Sequence, residues 1–148
     1  MSDTFRLFVI VGKAALIVTT GCFALVLASM MLGFKPDIKP IEGQILGVVA
    51  CFIPIAVATA WIYRKLRAVY PRREARALST AFGLFTPISL VISLVLAEIT
   101  GGYAEFLAGR RFFGLIGAFM GAVLITAFLS FLVCSLVLRV TRLSQSVE

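Results

Sequence analysis

Histidine is absent from this 148-residue sequence, and acidic residues are scarce, with 7 Asp and Glu against 14 Lys and Arg. Without histidine the chain has no imidazole general base, no histidine metal ligand and no histidine ligand for haem. An intramembrane hydrolase would need a nucleophile with a base, or a set of metal ligands, and the apolar stretches contain neither. We therefore expect no enzymatic activity, no bound metal and no cofactor.

Cysteine is also rare, and its three copies lie apart. Cys22, Cys51 and Cys134 each fall inside an apolar stretch, and none belongs to a CxxC pair. With no histidine to complete a coordination sphere, this spacing is not that of a metal site. We interpret the three cysteines as small packing residues.

The chain carries little charge for its length. Only 14% of its residues are charged, against about 25% in a typical soluble domain, while 61% are hydrophobic. Four apolar runs are long enough to cross a hydrocarbon core of about 30 Å as helices. They cover residues 7–34, 43–63, 80–99 and 112–138. The first run is too long for a signal peptide, so we interpret it as an uncleaved anchor and predict one all-α membrane domain over 1–148.

The cations of this chain are distributed unevenly between its connections. They concentrate at both termini and in the basic connection predicted over 64–79, whereas acids and bases balance in the other two connections. The positive-inside rule therefore predicts cytoplasmic N and C termini. Short connections make neighbouring helices antiparallel, which predicts a four-helix bundle of two hairpins. We expect a multi-pass protein of a bacterial inner membrane.

The basic connection is the densest charge on the chain. Cations beside a bilayer attract anionic lipid by about 1 kcal/mol each. The same cluster would also suit an acidic cytoplasmic partner, or serve only to orient the chain. Nucleic-acid binding is not expected, because the cluster is held against the membrane and has no module for base recognition. The candidate docking residues are Arg64, Lys65, Arg67, Arg72, Arg73 and Arg76.

Small residues recur at helical spacing in the second and fourth runs. Gly43 and Gly47 are four residues apart, and Gly114, Gly117 and Gly121 follow the same face of a helix. Glycines at this spacing allow two helix backbones to approach closely and gain dispersion contacts. We predict a tight contact here, either between these two helices or with a helix of another integral membrane protein.

Two prolines lie at corresponding depths in the second and third runs. Pro54 and Pro87 each remove a backbone donor and so release a carbonyl one turn earlier. Opposed broken helices build midplane substrate sites in transporters, so Pro54, Thr86 and Pro87 are a candidate site. The alternative is that the prolines only shape the helices, with the Thr86 hydroxyl bonding to a local carbonyl.

Four charged residues flank the connection between the third and fourth runs. The acidic residues are Glu98 and Glu105, and the basic residues are Arg110 and Arg111. Because the two runs form a hairpin across this connection, we expect an ion pair at the outer membrane interface.

The leading functional hypothesis is a non-catalytic subunit or scaffold of a larger inner-membrane complex. This hypothesis follows from the lack of a set of catalytic residues and of a soluble domain, together with the glycines at helix-packing spacing. One alternative is a small transporter or channel that acts as a homo-oligomer through the site at Pro54 and Pro87. Another is an immunity or regulatory protein that blocks a membrane protein through helix contacts.

Overall fold

A computed structural model describes the backbone of residues 3–31, 41–102 and 112–146, and the side chains of 3–28, 51–102 and 114–146. The described chain is all-helical, as the sequence predicts, and contains no strand. Its four helices are α1 (Asp3–Met31), α2 (Ile41–Arg67), α3 (Arg72–Ile99) and α4 (Phe112–Gln145).

Three helical segments are long and apolar enough to cross a membrane. They are Asp3–Ala28 in α1, the whole of α3 over Arg72–Ile99, and Gly114–Gln145 in α4. This finding covers only the described residues, and the first side chains of α2 lie outside them. The chain therefore has the apolar helices of a multi-pass membrane protein.

The helices extend past the predicted apolar runs on the charged side. α2 continues to Arg67 and α3 begins at Arg72, so the connection predicted over 64–79 shortens to residues 68–71. α1 likewise begins at Asp3, and α4 continues to Gln145. Arg, Lys and Leu favour helix, and a helix satisfies its own backbone groups, so it need not end where the apolar run ends.

A tight turn joins α2 to α3. The backbone N–H of Tyr70 donates to the Leu66 carbonyl at 2.7 Å and closes the end of α2. Pro71 follows, with no N–H to donate, and its carbonyl accepts from Ala75 at 2.9 Å in the first turn of α3. Because proline cannot continue the hydrogen bonding of α2 but suits a helix start, this position sets the turn.

The four helices form a ring in chain order. α1 packs against α2 and α4, and α3 packs against the same two helices. α1 and α3 make only slight contact across the bundle, and α2 and α4 lie on the other diagonal of the described structure. Each helix therefore packs against two neighbours, and the contact between α4 and α1 closes the ring.

Neighbouring helices run antiparallel. The α2–α3 turn is too short for any other arrangement. Between α1 and α4, Phe8 packs edge-on against Phe131 with ring centroids 5.3 Å apart, and Phe23 meets Phe119 at 5.2 Å. Because residues early in α1 contact residues late in α4, this pair is antiparallel too.

The packed core lies toward the α2–α3 turn, where side chains from all four helices meet. Large apolar side chains such as Leu84, Ile88 and Leu124 are instead exposed on the outer faces. This distribution fits a bundle whose exterior contacts lipid and whose helices associate by close packing. The buried apolar cluster is Leu7, Val11, Ala14, Val18, Ile55, Ala58, Ile62, Leu66, Tyr70, Ala75, Leu78, Phe82 and Cys134.

Candidate functional site

One end of the bundle gathers both termini and the α2–α3 turn. The Tyr70 hydroxyl donates to the carbonyl oxygen of Asp3 at 3.1 Å, which ties the turn to the start of α1. Arg142 Nε lies 3.7 Å from Glu74 Oε1, which ties the end of α4 to the start of α3. We call this the basic end, and its cations are Arg6, Arg64, Lys65, Arg67, Arg72, Arg73, Arg76, Arg139 and Arg142.

Glu74 is a buried carboxylate within this basic end. Its side chain is only 6% exposed, whereas the side chain of its partner Arg142 is 49% exposed. The second oxygen, Oε2, has no hydrogen-bond partner among the described residues. A buried carboxylate is costly without compensation, so the half-solvated guanidinium stabilises the charge that Glu74 brings into the bundle.

Tyr70 is also buried at this end. Burial raises the pKa of the Tyr70 phenol above its ordinary value of 10.0, and the nearby Asp3 carboxylate acts in the same direction. Arg142 acts in the opposite direction, more weakly than burial. The phenol therefore stays protonated at neutral pH and remains a donor to the Asp3 carbonyl.

The candidate docking cations are all exposed, and their docking role stays a prediction. Lys65 is the one with a described aromatic neighbour, since its Nζ lies 6.0 Å from the Trp61 ring centroid. The remaining five occupy the last turn of α2 and the first turns of α3. Most of the predicted basic connection is thus helical surface, with its charge held at defined positions round α2 and α3.

The glycines of α4 border a groove between α3 and α4 at the end away from the basic end. This groove has a volume of about 340 Å³. A Cβ built on Gly117 or Gly121 would meet no atom within 4 Å, so this face is open in the described structure. We call it the small-residue groove, and it is lined by Ser93, Leu96, Ala97, Thr100, Gly102, Gly114, Gly117, Ala118, Gly121, Ala122 and Ile125.

The predicted contact of the α4 glycines with Gly43 and Gly47 of α2 falls outside the described side chains. Gly43 and Gly47 lie on the helix α2 but outside the residues whose surroundings are described. Over the described residues, α2 and α4 are diagonal in the ring and do not pack against each other. The described glycines of α4 instead lie beside α3.

A line of buried hydroxyl groups continues the small-residue pattern toward the basic end. On α4 the hydroxyls of Thr126 and Ser130 are fully buried, and neither has a hydrogen-bond partner in the described structure. Sequence analysis named Thr86 but missed Thr126 and Ser130, although these two continue Gly114, Ala118 and Ala122 at every fourth position of α4. We call it the hydroxyl seam, and it comprises Thr86, Ser89, Ser93, Thr126 and Ser130.

Pro54 and Thr86 of the candidate midplane site are buried, and Pro87 is half-buried. Pro54 is buried against Gly21 of α1, where a Cβ on the glycine would lie 2.7 Å from the proline Cβ. Thr86 is fully buried, and its hydroxyl donates to the Phe82 carbonyl in α3. Neither described groove is lined by Pro54, Thr86 or Pro87. The predicted transport role of these residues stays a prediction.

Of the four residues of the predicted outer ion pair, Glu98 is the one that lies within the described residues. Glu98 lies in the last turn of α3 and is exposed. Glu105, Arg110 and Arg111 lie outside the described residues, and the pairing stays a prediction.

A second groove runs between α2 and α3 on the outer face of the bundle, beside the basic end. Its volume is about 570 Å³. The two helices approach closely beneath it, since a Cβ on Gly83 would lie 3.1 Å from Thr59 Oγ1. We call it the α2–α3 groove, and its lining residues are Phe52, Ile55, Ala56, Thr59, Ala60, Tyr63, Ser79 and Gly83.

Comparison of the chain with protein-family models, with curated proteins and with solved structures finds no match. The functional argument therefore depends on the residues and their geometry.

Proposed function

We propose that the chain is a non-catalytic subunit of a larger complex in a bacterial inner membrane. In this proposal α2 is the fourth span, and the basic end faces the cytoplasm. The grouping of the basic residues at one end of the bundle supports this orientation, because the positive-inside rule acts on cations near the ends of spans.

The observation that carries the subunit role is the open small-residue groove. Gly117 and Gly121 face free space, while large apolar side chains cover much of the remaining exterior. Helices associate in lipid by close backbone approach and dispersion contacts, which small residues permit and bulky ones prevent. We propose that a spanning helix of another integral membrane protein packs into this groove.

The test is affinity purification of the tagged chain from its native membrane in mild detergent, followed by native mass spectrometry. We expect a different protein at fixed stoichiometry with the wild type, and its loss in Gly121→Leu. Gly12→Leu is the matched control, because a Cβ at Gly12 also meets nothing within 4 Å but lies on α1. Purification as an isolated monomer, or equal partner recovery with both variants, would overturn the proposal.

A transporter or channel that acts as a homo-oligomer is the second candidate, and the hydroxyl seam favours it. Two of its hydroxyls, on Thr126 and Ser130, are buried without a described partner. Such polar groups are costly in a membrane unless they have a role or a partner. In this case Thr86→Val or Pro87→Ala changes flux in liposomes while the protein still folds. Unchanged flux in both variants would remove this candidate.

A further inference from the structure

We propose that the α2–α3 groove binds one acyl chain of an anionic phospholipid, whose phosphate is held by Arg67 and Arg76. The proposal rests on insertion of the bundle in a membrane, which the proposed function shares. It does not depend on any protein partner or on which side of the membrane the basic end faces.

The groove has the lining of a ligand site that faces lipid. It is a shallow, largely apolar groove of about 570 Å³ that is open along the outer face, so it suits a chain lying against it from the bilayer. Ala56, Ala60 and Gly83 leave space along its length, and Phe52 and Tyr63 add aromatic surface. An apolar chain from the bilayer therefore fits against it without displacing any side chain that the core needs.

The cations nearest the mouth of the groove are set by helix geometry. Arg67 follows Tyr63 by four residues and so continues the groove face of α2 by one turn. Arg76 precedes Ser79 by three residues on α3, and the Ser79 hydroxyl donates to the Arg76 carbonyl at 3.0 Å. Both arginines are exposed. By helix geometry, the groove face of each helix therefore continues to an exposed arginine at the basic end.

This arrangement matches a phospholipid in charge as well as in shape. Guanidinium groups bind phosphate oxygens through short, charge-assisted hydrogen bonds, often in pairs. Tyr63 lines the groove near the same level, where an amphipathic ring suits the membrane interface. A chain in the groove would place its phosphate beside Arg67 and Arg76.

Two other cations of the basic end, Lys65 and Arg73, provide a contrast, because they lie off the groove faces of their helices. Lys65 lies about 160° round α2 from Tyr63 at 3.6 residues per turn, and its ammonium lies beside Trp61 instead. Arg73 lies about 120° round α3 from Ser79, whereas Arg76 lies about 60° from it. Diffuse attraction to an anionic bilayer would use all of these cations equally, whereas a bound lipid depends on the two that flank the groove.

The experiment is native mass spectrometry of delipidated protein titrated with phosphatidylglycerol or with phosphatidylcholine of the same acyl chains. We expect one retained phosphatidylglycerol, and about a tenfold weaker affinity when Arg67→Gln and Arg76→Gln remove both charged hydrogen-bond donors. The pair Lys65→Gln and Arg73→Gln removes the same total charge and should change the affinity by less than about twofold.

A steric variant tests the groove separately from the charges. Ala60→Phe fills the groove and should abolish retention of the lipid, whereas Ala24→Phe, on the exposed face of α1, should not. Equal loss in both charge pairs, equal retention of the two lipids, or full binding by Ala60→Phe would each overturn the proposal. Thermal unfolding of every variant identifies misfolded protein. The lipid-binding result is independent of the purification experiment, so failure to find a protein partner there would not change it.

Discussion

At the level of single residues, Gly21 and Pro54 bring α1 and α2 very close together. A Cβ on Gly21 would lie 2.7 Å from Pro54 Cβ and 2.9 Å from Pro54 Cγ. The proline ring is rigid, so a side chain at position 21 can be accommodated only if the helices shift. Glycine is required here for space, since its φ is not in the left-handed region.

The first prediction compares alanine at two glycines of α1. Gly21→Ala should lower the free energy of unfolding by about 1–3 kcal/mol, because it overpacks the contact with Pro54. Gly12→Ala adds the same methyl group where no atom lies within 4 Å, and should be neutral or raise stability by up to about 1 kcal/mol through helix propensity. Unfolding in detergent micelles measures both, and equal effects would contradict the described contact.

At the level of helices, the inner faces of α3 and α4 differ in how their hydroxyls are satisfied. On α3, Ser89 donates to the Phe85 carbonyl at 3.0 Å and Ser93 to the Ser89 carbonyl at 2.8 Å. On α4, the hydroxyls of Thr126 and Ser130 have no described partner. The buried hydroxyls of α3 therefore have carbonyl partners within their own helix, whereas those of Thr126 and Ser130 on α4 have none among the described residues.

The second prediction concerns these unpartnered hydroxyls. Thr126→Val keeps the shape of the side chain and removes a buried donor, so it should leave stability unchanged or raise it by about 1–3 kcal/mol. Ser93→Ala is the matched control on α3, where the hydroxyl has a carbonyl partner, and should be neutral or slightly destabilising. Thermal unfolding measures the difference, and a marked loss of stability in Thr126→Val would show that its hydroxyl is satisfied.

At the level of the whole molecule, two contacts hold the basic end together. The Tyr70–Asp3 hydrogen bond joins the α2–α3 turn to α1, and the Glu74–Arg142 ion pair joins α3 to α4. Both connect residues far apart in sequence. Loss of either would free one terminal helix end from the turn while leaving the apolar core in place.

The third prediction concerns the Glu74–Arg142 pair. Arg142→Gln should destabilise the protein by about 1 kcal/mol, because the pair is half-solvated on the arginine side and yet compensates a buried carboxylate. The loss should largely disappear in a Glu74→Gln background, which a double-mutant cycle measures. Arg139→Gln, one turn earlier on an exposed face, should stay within about 0.5 kcal/mol of wild type. Equal effects of Arg142→Gln in both backgrounds would exclude the pair.

The helical class, the apolar segments and the low charge of this protein follow from the sequence alone. Apolar length and helix propensity are properties of neighbouring residues, and they predict helices without knowledge of the fold. The clustering of cations in three stretches also predicted that those stretches share one end. Even so, helix continued through most of 64–79, because the apolar pattern predicts where lipid ends and not where backbone hydrogen bonding ends.

Only the tertiary structure decided the order of the helices, the burial of Glu74, the hydroxyl seam and the two grooves. Each of these features depends on which helix faces pack against each other. Faces in contact with lipid and faces in contact with protein are both rich in Leu, Val, Ile and Phe, so composition does not distinguish the two kinds of face. Gly21 and Gly12 illustrate the point within one helix. They are the same residue type in the same apolar run, yet only Gly21 lies against a proline, because the position of α2 determines which glycine is needed for close packing.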